Sequence, residues 1–167
     1  MNRLARFAML AVVTAALGAA QVKLGIINSQ KAVLETAEIK KAQSDLEAKF
    51  KPRQDLMLKL QKDLQDIQAQ LQSGKLNQLG EQELTAQGQK KQRDLKRMDE
   101  DLQADVNAER NDILQRTGTR MQEVVKKLAE EKALDVVIDT ANTVYFKAAL
   151  DITADAVTAY NKAYPAK

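Results

Sequence analysis

The feature that most restricts what this chain can become is an apolar seam that mirrors itself. Phe50, Met57, Leu60, Leu64, Ile67 and Leu71 follow at intervals of seven, three, four, three and four, the a/d spacing of a coiled-coil helix, with Arg53 in the skipped slot. The pattern stops at Ser73-Gly74-Lys75, where Gly74 suits a helix C-terminus. It resumes near Gly80, and the acidic Glu81 and Glu83 that follow suit the positive end of a helix dipole. The second helix carries Leu84, Leu95, Met98, Leu102, Val106, Ile113, Met121, Val124 and Leu128. From Leu95 to Leu128 its inward positions recur about every 3.67 residues, nearer an eleven-residue repeat than a heptad, so that half should coil less tightly. If the chain folds back around residues 77 and 78, the numbers of facing positions should total about 155. Leu71 with Leu84, Leu60 with Leu95 and Met57 with Met98 each total 155, and Phe50 with Val106 totals 156. The spacing predicts an antiparallel helical-hairpin arm over residues 35–132. Its first helix, from Glu35 to Leu71, would be about 55 Å long at 1.5 Å per residue.

Such an arm buries one narrow seam, while each ordered residue costs ~1–2 kcal/mol of backbone entropy. A second packing unit is therefore required. Val22 to Asn28 is short and β-branched, with Val22, Leu24 and Ile26 on one strand face. Leu134 to Asp139 and Thr143 to Phe146 read as strands around the turn-prone Thr140-Ala141-Asn142. Asp151-Ile152-Thr153-Ala154-Asp155 opens a short terminal helix, with Thr153 as its cap and Asp155 in the first turn. The expected fold class is mostly α with a small β body, and one domain spans residues 21–167. Residues 21–34 and 133–167 form the body, and 35–132 the arm. Three strands from one chain make a meagre sheet with open edges. Several copies are expected to associate through Leu24, Ile26, Val136, Ile138 and Val144.

Residues 1–20 stand apart. Arg3 and Arg6 precede an apolar run from Phe7 to Leu17, and Gly18-Ala19-Ala20 supplies small residues, so this segment reads as an export signal cleaved after Ala20. Eleven apolar residues fall short of the ~20 that span a bilayer. What remains carries 24 basic and 23 acidic residues, and the arm carries 19 of each. The chain has no His and no Cys, which excludes imidazole and thiolate catalysis and soft metal sites. It also has no phosphate-binding G-x-x-x-x-G-K-[ST] loop. With about a hundred residues committed to the arm, too little chain is left for an enzyme's pocket-bearing domain, and no cofactor is expected. Lys90-Lys91-Gln92-Arg93 and Lys96-Arg97 are followed at once by Asp99-Glu100-Asp101. They read as a salt-bridged solvated face and not as a nucleic-acid site, and the Asp63 and Asp66 pair reads as helix surface.

The opening Val22-Lys23-Leu24-Gly25-Ile26-Ile27-Asn28, the arm segment Phe50-Lys51-Pro52-Arg53, the strand Leu134-Asp135-Val136-Val137-Ile138-Asp139, Val144-Tyr145, and above all Asp151-Ile152-Thr153-Ala154-Asp155 resemble the Skp/OmpH family of periplasmic chaperones. The order and spacing of these pieces span nearly the whole chain after residue 20. The resemblance implies a jellyfish-like homotrimer whose strands and terminal helices form a body and whose three arms enclose a cavity. It further implies an ATP-independent holdase, located in the periplasm, for unfolded outer-membrane proteins. Lipopolysaccharide binding is reported for some members, but no ligating residue for it, or for a membrane surface, can be matched here. The competing reading is a coiled-coil scaffold of the cell envelope without chaperone activity.

Leu56, Leu58, Leu76 and Leu79 are apolar where solvent is expected and are the candidate client contacts, with Met57 and Met98 adding adaptability. A plainer reading has Leu56 widening the seam and the tip leucines stapling the turn. Gly88, Gly118 and Pro52 are candidate flex points; the plainer reading of the two glycines, tolerated imperfection, is favoured, whereas Pro52 is expected to kink the arm.

Overall fold

The structure is a computed structural model that describes residues 22–166. The expected export signal lies outside the described residues. The chain runs β1 (Leu24–Ile27), α1 (Ser29–Leu34), α2 (Ala37–Gln72), α3 (Gln78–Glu131), β2 (Val136–Asp139) and α4 (Thr153–Ala163), with single 3-10 turns at Thr140–Asn142 and Ala148–Leu150. This is the expected class: a long helical hairpin on a small β body.

The hairpin register follows the mirror rule. Asp63 meets Lys91 at 2.6 Å, a pairing that totals 154, and a Cβ on Gly88 would lie 3.4 Å from Ile67 Cγ2, a pairing that totals 155. In α2 the inward residues are Ile39, Leu46, Phe50, Arg53, Met57, Leu60, Leu64, Ile67 and Leu71, with Ile39, Phe50 and Ile67 buried. In α3 the inward positions run Leu95, Met98, Leu102, Val106, Glu109, Ile113, Thr117, Met121, Val124 and Leu128, nine steps over 33 residues as the periodicity requires. The reversal itself occupies residues 73–77, earlier than the expected 77 and 78. Gly74 takes φ +65° directly after the C-cap Ser73, and the Asn77 side chain accepts from Gly80 N–H to start α3. Because facing numbers total about 155, the first few residues of α3 run on past the end of α2. The helix α2 passes through Pro52 without interruption, although the ring removes one donor from the ladder.

Four local expectations need correction. The arm's first helix does not begin at Glu35. A separate short α1 forms first, and Thr36 then turns the chain, its hydroxyl donating to Val33 O at 2.8 Å and accepting from Ile39 N–H at 3.2 Å. Next, the strand face expected to carry Val22, Leu24 and Ile26 is buried only at Ile26. Leu24 is 38% exposed, while Gly25, Ile26 and Ile27 are all buried, because β1 is covered on both sides. A Cβ on Gly25 would lie 2.8 Å from Leu134 Cδ1 on the face where Ile27 joins the core, and Ile26 is buried on the opposite face. The third strand, Thr143 to Phe146, is absent from the chain. One edge of β1 pairs with β2 in parallel, from Leu24 opposite Val136 to Ile27 opposite Asp139. The other edge is taken by a bridge to Asp151, beside which Ile152 N–H donates to Ile26 O at 2.8 Å. No edge of β1 remains for a further strand, and Val144 and Tyr145 stand in solvent. Finally, Thr153 is the first residue of α4 and not its cap. Ile152 holds the N-cap position, Asp151 just before it accepts from Thr153 N–H at 2.8 Å, and Thr153 Oγ1 accepts from Asn28 N–H at 2.9 Å. The Asp-Ile-Thr-Ala-Asp segment thus starts α4 and ties it to the turn between β1 and α1.

The body core gathers Ile27, Ala32, Met121, Val124, Leu128, Ile152, Ala156 and Tyr160 from β1, α1, the last turns of α3, and α4. The helix α3 is 54 residues long, about 80 Å, and belongs to the arm at one end and the body at the other. It ends in a Schellman motif. Leu134 N–H donates to Ala129 O at 2.8 Å and Ala133 N–H to Glu130 O at 3.1 Å, with Ala133 itself at φ +50°.

Candidate client surface and the joint at the base of the arm

The arm offers apolar side chains to solvent at several places. Leu56 is 52% exposed, and Leu58 and Leu79 are each 63% exposed. Leu76 is different. It is half-buried and lies over Gly80, 3.6 Å from where a Cβ would stand, so this leucine closes the turn. Leu56 and Leu58 flank the half-buried seam residue Met57 on either side, and both are more than half exposed. Beside them runs an open groove of ≈ 610 Å³, lined by Met57, Gln61, Gln89 and Leu95 with Arg93, Lys96 and Asp99 at its margin. Its mixture of a thioether, aliphatic carbon and amides suits many short-range contacts and no single ligand. Nearer the body, Leu34, Ile39, Ala42, Leu46, Ile113 and Leu114 line a second, smaller apolar depression.

The basic cluster is largely spoken for. Lys91 pairs with Asp63 at 2.6 Å, Arg97 with Asp94 at 3.3 Å and Lys96 with Glu100 at 3.7 Å. Lys91 holds the Asp63 carboxyl below its ordinary pKa. Other ion pairs stitch α2 to α3, including Arg53 with Asp105 and Lys49 with Glu109. Exposed pairs of this kind contribute ~0–1 kcal/mol each. They set the arm's surface and do not hold it together.

Of the proposed body residues, Ile26 is buried and Ile138 half-buried, while Leu24, Val136 and Val144 are exposed in the single chain at 38%, 44% and 107%. With Val22 and Tyr145 they leave an apolar surface on and beside the two-stranded sheet.

The composition and periodicity left one constellation unmarked. At the base of the arm, Glu38 in the first turn of α2 accepts from Tyr160 OH on α4 at 2.5 Å, and from Arg120 Nη1 on α3 at 3.0 and 3.1 Å. Arg116 Nε stands 3.4 Å from the same carboxylate. The Arg120 guanidinium stacks over the Tyr164 ring, 4.8 Å from its centre, and Ala37 N–H donates to Asn161 Oδ1 at 2.8 Å. Burial pushes the Glu38 carboxyl up, but the phenol and the two guanidiniums outweigh it and hold the group below its ordinary value. Burial and the Glu38 carboxylate both raise the Tyr160 phenol. The three largest fully buried side chains are Tyr160, Thr36 and Thr117, all hydroxyl-bearing. Thr117 Oγ1 has no hydrogen-bond partner. The only sequence signal for this joint was an acid just after a capping Thr and two arginines four residues apart, a common surface pattern.

A family model described as outer membrane protein (OmpH-like) matches residues 23–160. Over 151 residues the chain is 33% identical to a chaperone protein Skp of Salmonella typhimurium, covering 87% of this chain and 89% of that one. It is 26% identical over 164 residues to a Skp-like protein of Pseudomonas aeruginosa, covering 94% and 98% respectively. Among solved structures, an OmpH-like outer membrane chaperone from Caulobacter crescentus superposes with a TM-score of 0.75 over 90% of each chain, at 18% identity.

Proposed function

This chain belongs to the OmpH-like family, and from that premise we propose that it is an ATP-independent holdase of the periplasm that keeps unfolded outer-membrane proteins from aggregating. One observation carries the reading. Two helices of 36 and 54 residues reach far from a small body while burying little more than their shared seam, and they present Leu56, Leu58 and Leu79 to solvent. A self-contained fold gains nothing from that exposure, whereas a surface that must hold many sequences weakly does. An unfolded β-barrel precursor supplies the complement, since it exposes alternating apolar residues and unpaired strand edges. Holding is then a binding equilibrium, and the client's own folding into a membrane drains the unfolded state from it.

The assembly in this reading is a homotrimer joined through Leu24, Ile26, Val136, Ile138 and Val144. The exposed Thr143 to Phe146 segment, extended in sequence character but unpaired in one chain, pairs with a neighbouring subunit. Light scattering on the protein lacking residues 1–20 should give three times the subunit mass, and a dimer would favour the scaffold reading. Val136→Asp with Ile138→Asp should dissociate or unfold the protein, while Leu64→Asp should loosen the arm alone. Deleting Met57 to Met98, which removes the distal hairpin on matched seam positions, should leave the body trimeric but abolish suppression of outer-membrane-protein aggregation. Equal protection by the shortened protein would move the client site to the body and refute the cage.

A further inference from the structure

The arm joins the body along a layer that is polar where the rest of the interior is apolar. On one side the chain breaks at Glu35-Thr36, between α1 and α2. On the other side α3 is continuous but weakened in three successive residues. Thr117 is buried with its hydroxyl unpaired, Gly118 would have nothing within 4 Å of an added Cβ, and the Thr119 hydroxyl turns back to Gln115 O at 3.0 Å. A glycine and a hydroxyl bonded to the carbonyl one turn behind both lower a helix's resistance to bending.

Across this layer α2 meets α4 chiefly through polar groups: Tyr160 OH and Asn161 Oδ1 reach the first two residues of α2, Glu38 and Ala37. We propose that Glu38, held between Tyr160 of α4 and Arg116 and Arg120 of α3, is a clasp that sets the resting angle of the arm, and that the arm pivots about residues 35–36 and 117–119 when the clasp opens. Two apolar surfaces slide over one another with little change in energy, but a carboxylate fixed by a phenol and a guanidinium has one favoured geometry. Loss of Glu38 leaves the Thr36 turn, the Ala37–Asn161 bond and the α3 backbone as the arm's polar and covalent attachments and widens its swing. The inference concerns the arm's motion and does not depend on what the arm binds.

The chain has no cysteine, so Gln54→Cys on the arm and Ala154→Cys on α4, both exposed, provide the only labelling sites. Gln54 lies about 24 Å along α2 from Glu38. Nitroxide-labelled protein diluted into an excess of unlabelled protein reports the intrachain arm-to-body distance by pulsed electron resonance. Glu38→Ala should at least double the width of the distance distribution, and Tyr160→Phe, which keeps the ring and removes only the hydroxyl, should broaden it by a smaller amount. Asp105→Ala, which removes an ion pair farther along the arm, should leave the width unchanged. Adding Gly118→Ala to Glu38→Ala should narrow the distribution again. Helicity by circular dichroism certifies folding, and if Glu38→Ala does not fold, Tyr160→Phe decides alone. Wild-type width in the folded clasp variants overturns the clasp, and broadening that Gly118→Ala does not reduce overturns the pivot.

Discussion

Thr117→Val should make this protein more stable. Thr117 lies at 0% exposure within α3, and its hydroxyl has no hydrogen-bond partner. Burying a hydroxyl unpaired costs ~1–3 kcal/mol, and valine fills the same space with a methyl group in its place. Threonine and valine are both β-branched and have similar helix propensities, so the backbone contributes nothing to the difference. The expected gain is about 1–2 kcal/mol, or ~2–8 °C in melting temperature for a chain of this size. Urea unfolding of both proteins at one fixed protomer concentration measures it, since the stability of an oligomer depends on concentration. Thr117→Ser is the companion variant. It keeps the orphaned hydroxyl and deletes the buried methyl, so it should lose ~1 kcal/mol. If Thr117→Val instead costs 1 kcal/mol or more, the hydroxyl is bonded in solution. The Tyr160 phenol is the partner it would take, a bond that would oppose the upward push on that phenol from burial and Glu38. The polar layer would then be a completed network and not a weak point.

Three further outcomes follow from the arm and its charges. Gly88→Ala should stabilise the arm by ~1 kcal/mol, because the added Cβ meets Ile67 at an ordinary 3.4 Å and the helix loses a glycine, and a destabilised variant in urea would show the seam to be tighter than that. Glu38, Asp139 and Asp151 are all held below their ordinary values of 4.5, 3.8 and 3.8. Their contribution is full above those values and is lost as pH falls through the lower folded ones, so stability measured from pH 6 to pH 2 should decline below about pH 5, and more shallowly in Glu38→Gln. Client affinity should change less than about threefold between low and ~0.5 M salt, since the arm carries 19 basic and 19 acidic residues. A tenfold loss in a titration across that range would show that Lys90 and Arg93 act locally.

What could be read along the chain was whatever repeats locally. A helix restates its geometry every 3.6 residues, so the seam from Phe50 to Leu71 and its mirror from Leu84 onward carried enough redundancy to foretell an arm and its register. Gly74 was legible as a helix terminus because only a positive φ ends the helix there. The body resisted the same treatment. Val22 to Asn28 reads correctly as a strand, though what covers its faces is not legible locally, and Thr143 to Phe146 has strand composition but no free edge beside β1, so composition alone misplaced the latter. The leucines split for the same reason: Leu76 folds over Gly80, while Leu56, Leu58 and Leu79 face solvent. The clasp was farthest from view. Glu38 and Tyr160 are 122 residues apart, and no periodic signal links a carboxylate in the first turn of one helix to a phenol near the end of another. Their meeting is decided by the crossover that returns the chain from the arm to β2 and α4, and a contact of that range exists only once every intervening element has packed.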